Sequence, residues 1–341
     1  VDIISGSCFA LLSGAMQGAF PLPMKYATKW KWENIWSVFA LWGFVILPWL
    51  LAVATVPDLI GVYSSASWKT LAAITFFGAG WGIGTICFGI GVSMVGLALA
   101  FAIVIGMASA LGTLIPMILF HPDAFLTSGG LTISGGVLLM LIGVALCALA
   151  GSWKERELAG ADGNEDNSAQ AASFKKGLGI CIISGIASPM LNFAFVSGEE
   201  IIYNAKATGT SPASASNPIW CWAMTSAFVI TVLYCIYLMS KDRGWRRYTI
   251  KGTGSYWGLT LSMGILFSGS IAVYGIGLSK LGPLAASIGW PILMITSIVV
   301  GNLCGIATGE WKGAGSKPLI TMLAGLAILS MAICLIGLGN A

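Results

Sequence analysis

Charge is what this chain has least of: across 341 residues only 9% are Asp, Glu, Lys or Arg, against about 25% in a soluble domain. So few charges cannot cover a water-facing surface, so lipid has to be the solvent. Histidine is nearly absent as well. The single one, His121, falls in a predicted outer loop, which leaves no cluster for zinc and no Ser/His/Asp set for hydrolysis. The eight cysteines form no CxxC pair and all lie in apolar segments, where they read as small packing residues. The net charge of +4 is small and belongs to loop lysines and arginines, not to a nucleic-acid surface, so nucleic acid is not expected as a partner. The Gly78-Ala-Gly-Trp-Gly-Ile-Gly84 run has the wrong spacing for a dinucleotide loop and lies in an apolar segment. No cofactor is expected.

What is present is hydrophobic and repetitive. Apolar residues make up 57% of the chain, mean hydropathy is +0.89, and 45 glycines suit close helix–helix approach in a bilayer. A spanning helix needs about 20 apolar residues. Spans are predicted at 3–24, 35–55, 71–91, 95–119, 131–150, 177–198, 218–240, 257–278, 281–306 and 318–338. Phe88-Gly-Ile-Gly-Val-Ser-Met-Val-Gly96 recurs as Tyr274-Gly-Ile-Gly-Leu-Ser-Lys-Leu-Gly282, with five of nine positions identical. This motif is expected to form the short turns between spans 3 and 4 and spans 8 and 9. A fainter echo relates Leu12-Ser-Gly-Ala-Met16 to Ile183-Ser-Gly-Ile-Ala187.

Fourteen of the 17 lysines and arginines follow odd-numbered spans. Those loops are expected in the cytoplasm, with both termini outside. Five helices per half invert the second half relative to the first. The fold class expected is therefore an all-α integral membrane protein: ten transmembrane helices as two inverted five-helix repeats, over 1–150 and 177–341. The polar stretch 151–176, with Glu155, Glu157, Asp162, Glu165 and Asp166, is expected to be a mobile cytoplasmic linker without chemistry.

Ionisable groups deep in a span are costly unless they work. The middles of spans 2, 3, 4, 5, 7, 9 and 10 carry none. A charged substrate, a membrane protease and a metalloenzyme are disfavoured accordingly. The polar groups that remain are neutral. Gln17 lies in span 1; Trp81 and Thr85 sit one turn apart in span 3; Ser188 and Asn192 sit one turn apart in span 6; Tyr274 lies in span 8; Trp290 and Asn302 lie in span 9. Amides both donate and accept, and an indole face covers the apolar face of a pyranose, so the set suits a small neutral, polyhydroxylated ligand. For each residue the alternative role is structural: helix glue for the amides, an interface belt or a core position for the aromatics. Pro116 and Pro291 are expected to break their helices. Glu199 and Glu200, adjacent at the outer end of span 6, are the proton-coupling candidates, set against a solvated helix end; Glu310 is expected to pair with Lys312.

Several strings resemble the L-rhamnose–proton symporter family of the drug/metabolite transporter superfamily. They are Phe20-Pro-Leu-Pro-Met-Lys25, Lys29-Trp-Lys-Trp-Glu-Asn34, Trp36-Ser37, Leu47-Pro-Trp49, the Gly78–Gly84 run, Trp290 and Gly309-Glu-Trp-Lys-Gly-Ala-Gly315. The resemblance runs nearly end to end. It implies ten helices in two inverted repeats and proton-driven uptake of a deoxy sugar across a bacterial inner membrane. The chain departs from the enteric rhamnose carriers over Ile271–Trp290, which is nearly all small and apolar, and at Thr85 and Cys87. The resemblance therefore bears more firmly on the fold than on the sugar or the coupling.

The reading that follows is a secondary active transporter of a rhamnose-like sugar, coupled to protons, multi-pass in the inner membrane, monomeric or homodimeric. An exporter or facilitator of another neutral metabolite without proton coupling is the alternative. A sugar sensor that does not transport is a third, and it would be expected to carry a signalling domain.

Overall fold

A computed structural model of the chain describes residues 2–95, 97–120, 122–159, 167–282, 285–309, 311–313 and 315–339. Among these residues there is no strand, only helix and short turns. In chain order the helices are α1 (Ile3–Ala19), α2 (Trp32–Ala40), α3 (Leu47–Thr55), α4 (Leu59–Ser64), α5 (Trp68–Val95), α6 (Leu97–Phe120), α7 (Pro122–Phe125) and α8 (Ser128–Ala159). There follow α9 (Asn167–Ala187), α10 (Met190–Ser197), α11 (Glu199–Ala207), α12 (Asn217–Lys241), α13 (Gly254–Leu281), α14 (Ala285–Ala307) and α15 (Ser316–Leu338). Lipid offers no partner to a free N–H or C=O, so helices that satisfy their own backbone are the permitted form. Nine helical runs among the described residues are long and apolar enough to cross a membrane, and Ile103–Leu119 within α6 adds a shorter apolar one. The chain is an all-helical integral membrane protein.

Several boundaries differ from the sequence reading. The repeated motif is helical as far as Val95 in α5 and Leu281 in α13, so it is not the turn itself. The second copy ends at Gly282, whose φ of 79° lies where glycine is favoured. Pro116 and Pro291 do not break their helices; both sit inside continuous α6 and α14. The break falls at Ser188-Pro189, between α9 and α10, where proline lacks an N–H and disfavours helical geometry in the residue before it. Span 2 is interrupted by a π-helical turn, Leu41–Ile46. The expected linker is helical at both ends, where α8 runs to Ala159 and α9 starts at Asn167. Its centre, 160–166, lies outside the described residues, as do His121 and Glu310.

The chain divides into two compact units, Val1–Ile83 with Met190–Ala285 and Gly84–Pro189 with Ala286–Ala341. In the first, α1 packs along α13, and α2, the π turn and α3 pack against α12 and α13. In the second, α8 packs along α15, and α6 lies against α8 and α9. One contact occurs in both. In the first unit the buried Ser13 hydroxyl donates to the Ser270 carbonyl at 2.8 Å. In the second, the buried Ser184 hydroxyl donates to the Gly84 carbonyl, also at 2.8 Å. Ser13 and Ser184 are the serines of the fainter echo, and Gly84 stands to Ser270 as Phe88 stands to Tyr274.

Candidate functional site

The first unit holds a buried wall of aromatic rings. Trp81 on α5 stacks on Phe267 of α13, with centroids 5.8 Å apart and planes 24° apart, and leans on Phe44 of the π turn at 5.1 Å. Phe267 in turn meets Phe39 at 5.6 Å, and Phe39 meets Phe20 at 5.3 Å and Trp36 at 5.0 Å. Helical spacing builds the α2 part of the wall: Trp32, Trp36 and Phe39 recur at four and three residues along one face, and Trp32 stacks on Trp36.

Among the polar atoms of this unit that are sealed from solvent without a hydrogen-bond partner are Gln17 Oε1, Trp36 Nε1 and Trp42 Nε1. Gln17 lies one helical turn before Phe20, on the same face of α1. A buried polar group without a partner costs about 1–3 kcal/mol, so two indole donors and an amide acceptor left unspent beside an aromatic wall are groups available to a ligand.

A second polar cluster in the same unit is already satisfied. The Tyr274 hydroxyl donates to Asn192 Oδ1 at 3.0 Å, and both residues are buried. Trp220 on α12 lies 6.0 Å from the Tyr274 ring and donates through Nε1 to the Ser216 hydroxyl at 3.1 Å. Asn217 donates to the Thr55 hydroxyl at 2.9 Å. Beside them is a void of about 10 Å³, lined by Asn217, Trp220, Met224 and Ser268 among others, about the room for one water.

The structure thus brings Gln17, Trp81, Asn192 and Tyr274 into one unit. Thr85, Ser188, Trp290 and Asn302 lie in the other. There the Trp290 indole donates to the Ala108 carbonyl at 3.1 Å and sits against Gly112, where a methyl would come within 2.4 Å of its nitrogen. Ser188 and Asn302 donate to carbonyls of their own helices, Ser184 and Ile298, and Thr85 is half-buried. Ser188 and Asn192 do not share a helix face, because the chain breaks between them. Glu199 is exposed. The Glu200 carboxylate accepts from the Ser67 N–H at 2.9 Å, the Ser67 hydroxyl at 2.7 Å and the Thr70 hydroxyl, which ties α11 to the start of α5.

Trp36 is expected from the sequence at the membrane interface, as its place near a span end implies, yet its indole nitrogen is buried. The signal that marks it is the aromatic spacing along α2. Glu33, another residue without a role in the sequence reading, is buried in the first turn of the same helix. Among the described residues no group of three or more His, Cys, Asp or Glu could hold a metal ion.

Long apolar helices around neutral polar groups and stacked rings are the build of a membrane transport protein. The chain belongs to the family of L-rhamnose-proton symport proteins, whose family model matches residues 1–341. It is similar to the L-rhamnose-proton symporter of Citrobacter koseri, 29% identical over 349 residues that cover 99% of this chain and 98% of the relative. The symporters of that name from Escherichia coli and Shigella dysenteriae serotype 1 are also 29% identical, over 360 and 346 residues, with the same coverage.

Proposed function

We propose that the protein is a secondary active transporter that carries a small neutral sugar, L-rhamnose or a close deoxy-sugar analogue, inward together with protons across the bacterial inner membrane. The observation that carries the reading is the aromatic wall with its unspent neutral polar atoms, in a chain that matches the symporter family end to end. Trp81 offers a ring face to the apolar side of the pyranose. Gln17 and the two indole N–H groups bond hydroxyls, with Asn192 and Tyr274 as further hydroxyl partners. In the second unit Trp290, Thr85, Ser188 and Asn302 are the corresponding candidates. A neutral sugar needs no buried counter-charge, which fits a lining built of amides, hydroxyls and indoles.

The reading includes ten spanning helices, two inverted five-helix repeats over 1–150 and 177–341 and alternating access. The recurrence of the Ser13–Ser270 contact as Ser184–Gly84 supports the repeat. Proton coupling needs a carboxyl that can hold a proton. Glu199 and Glu200 are adjacent, but three donors converge on Glu200 and favour its ionised form, so the geometry supports an anchor there better than a carrier.

The experiment is sugar-induced thermal stabilisation of the purified protein at several pH values, across rhamnose, fucose, other monosaccharides and polyols. Rhamnose is expected to stabilise most, and more strongly at lower pH. Trp81→Ala and Asn192→Ala should each weaken it about tenfold, the equivalent of roughly 1.4 kcal/mol. No stabilisation by any sugar would reject the substrate class, and unchanged affinity in both variants would reject the site.

A further inference from the structure

Glu33 is the only buried carboxylic acid among the described residues. It is 6% exposed. Its Oε1 is sealed from solvent without a hydrogen-bond partner, and among the described residues no ion pair reaches the carboxyl. The neighbouring Asn34, fully buried, likewise leaves Oδ1 unpartnered while its Nδ2 donates to the Gly244 carbonyl at 3.1 Å. Taking a carboxylate out of water with neither donor nor counter-charge is expensive, whereas the neutral acid escapes most of that cost.

Among the described residues no cation forms an ion pair with Glu33. The elements packed on α2 are α12, α13, the π turn and the 3-10 turn Gly244–Thr249. From α12, Cys235 stands within electrostatic reach of Glu33, and from the 3-10 turn so does Tyr248. The Tyr248 hydroxyl is shared with Ser37 at 2.8 Å. Tyr234 of α12 packs on Trp32, and Tyr237 packs on Tyr234. Tyr256 of α13 is engaged with Thr28 and the Lys29 N–H. The π turn has no titratable residue. The nearby cations are committed elsewhere or exposed. Lys31 pairs with Asp242, Lys29 donates to the Lys251 carbonyl, Arg247 donates to the Lys29 carbonyl, and Lys241, Arg243 and Arg246 are exposed.

We infer that Glu33 is the carboxyl that binds and releases the coupled proton. The inference rests on the transport reading above and assigns to it a residue that the sequence reading did not single out. When water reaches the buried carboxyl, the O–H bond breaks, the proton passes to water, and the carboxylate is stabilised by the N–H groups of the first turn of α2. Binding is the reverse step: a proton from water forms the O–H bond. Trp36 lies three residues further along the same helix face and belongs to the aromatic wall. Proton and sugar are therefore joined through one turn of α2.

The test uses the full chain in proteoliposomes with radiolabelled rhamnose, comparing wild type with Glu33→Gln. Rhamnose counterflow, which needs no net proton movement, is expected to survive in the variant, while accumulation driven by an imposed pH gradient is lost. Rhamnose affinity in the wild type should weaken by up to about tenfold per pH unit above the titration of the group, as one linked proton requires, and should be flat in Glu33→Gln. Gradient-driven accumulation by Glu33→Gln equal to wild type overturns the proposal. If Glu33→Gln does not reach the membrane, Glu33→Asp decides: a displaced pH profile supports the assignment and an unchanged one overturns it. A wild type that moves no rhamnose defeats the sugar reading but not this one, because infrared spectra of the purified protein need no sugar. A carbonyl band of a protonated acid that titrates in wild type and is displaced in Glu33→Asp supports the proposal, and its absence from wild type rejects it.

Discussion

At the scale of single residues, what separates the candidate site from ordinary core is whether a polar atom is spent. Asn192 and Tyr274 spend theirs on each other, whereas Gln17 Oε1 meets no partner. Gln17→Leu removes an unsatisfied group from the interior, so the ligand-free protein should melt at the same temperature or higher. The same variant should lose most of the rhamnose-induced rise in melting temperature, and thermal unfolding with and without sugar reads both effects. A fall in intrinsic stability would instead mark Gln17 as structural. Gln17 and Trp81 are legible in the sequence as a lone amide and a lone indole far from span ends. Trp36 and Glu33 are not, because their burial is created by α12, α13 and the 3-10 turn that pack over α2.

At the scale of elements, glycine sets how closely helices pass, because in lipid the apolar surface itself gives little drive to associate. A methyl at Gly78 would sit 2.3 Å from the Ala223 carbonyl oxygen of α12, a backbone atom that cannot swing aside, while one at Gly135 meets nothing within 4 Å. Gly78→Ala should therefore destabilise by about 1–3 kcal/mol and Gly135→Ala should not, as measured by thermal or denaturant unfolding in detergent. A second element-level contact is electrostatic. Lys31, which precedes α2, meets Asp242, which follows α12, at 2.8 Å. The hydrogen bond and the charge of Lys31 hold the Asp242 carboxyl below its ordinary value of 3.8. A carboxyl depressed in the folded state adds stability above its unfolded value and loses that stability as pH falls through the folded one. Asp242→Asn should therefore melt slightly lower than wild type at neutral pH. The difference should shrink and vanish once the pH drops below the aspartate range. Both side chains are well exposed, so the effect is small and salt-sensitive. Proline alone did not locate the helix break. Pro116 and Pro291 continue their helices and Pro189 does not, since the outcome depends on what neighbouring segments do with the freed carbonyls.

At the scale of the whole molecule, the lysine and arginine bias makes a topological prediction. In a background without cysteine, Asp123→Cys should react with an impermeant thiol reagent added from outside, and Arg246→Cys should react only after permeabilisation; both positions are exposed. The reverse pattern would invert the molecule. The sequence by itself determined that this is a helical membrane protein of the rhamnose symporter family. Apolar run length, scarcity of charge and positions of basic residues are local properties, and lipid leaves the backbone few alternatives. Tertiary structure alone decided which of many similar serines, amides and indoles are spent and which are free. The Ser13–Ser270 bond links residues 257 apart and the Tyr274–Asn192 bond residues 82 apart. Whether a polar atom finds a partner, or a carboxyl such as Glu33 is left without one, depends on distances between helices that no local spacing encodes.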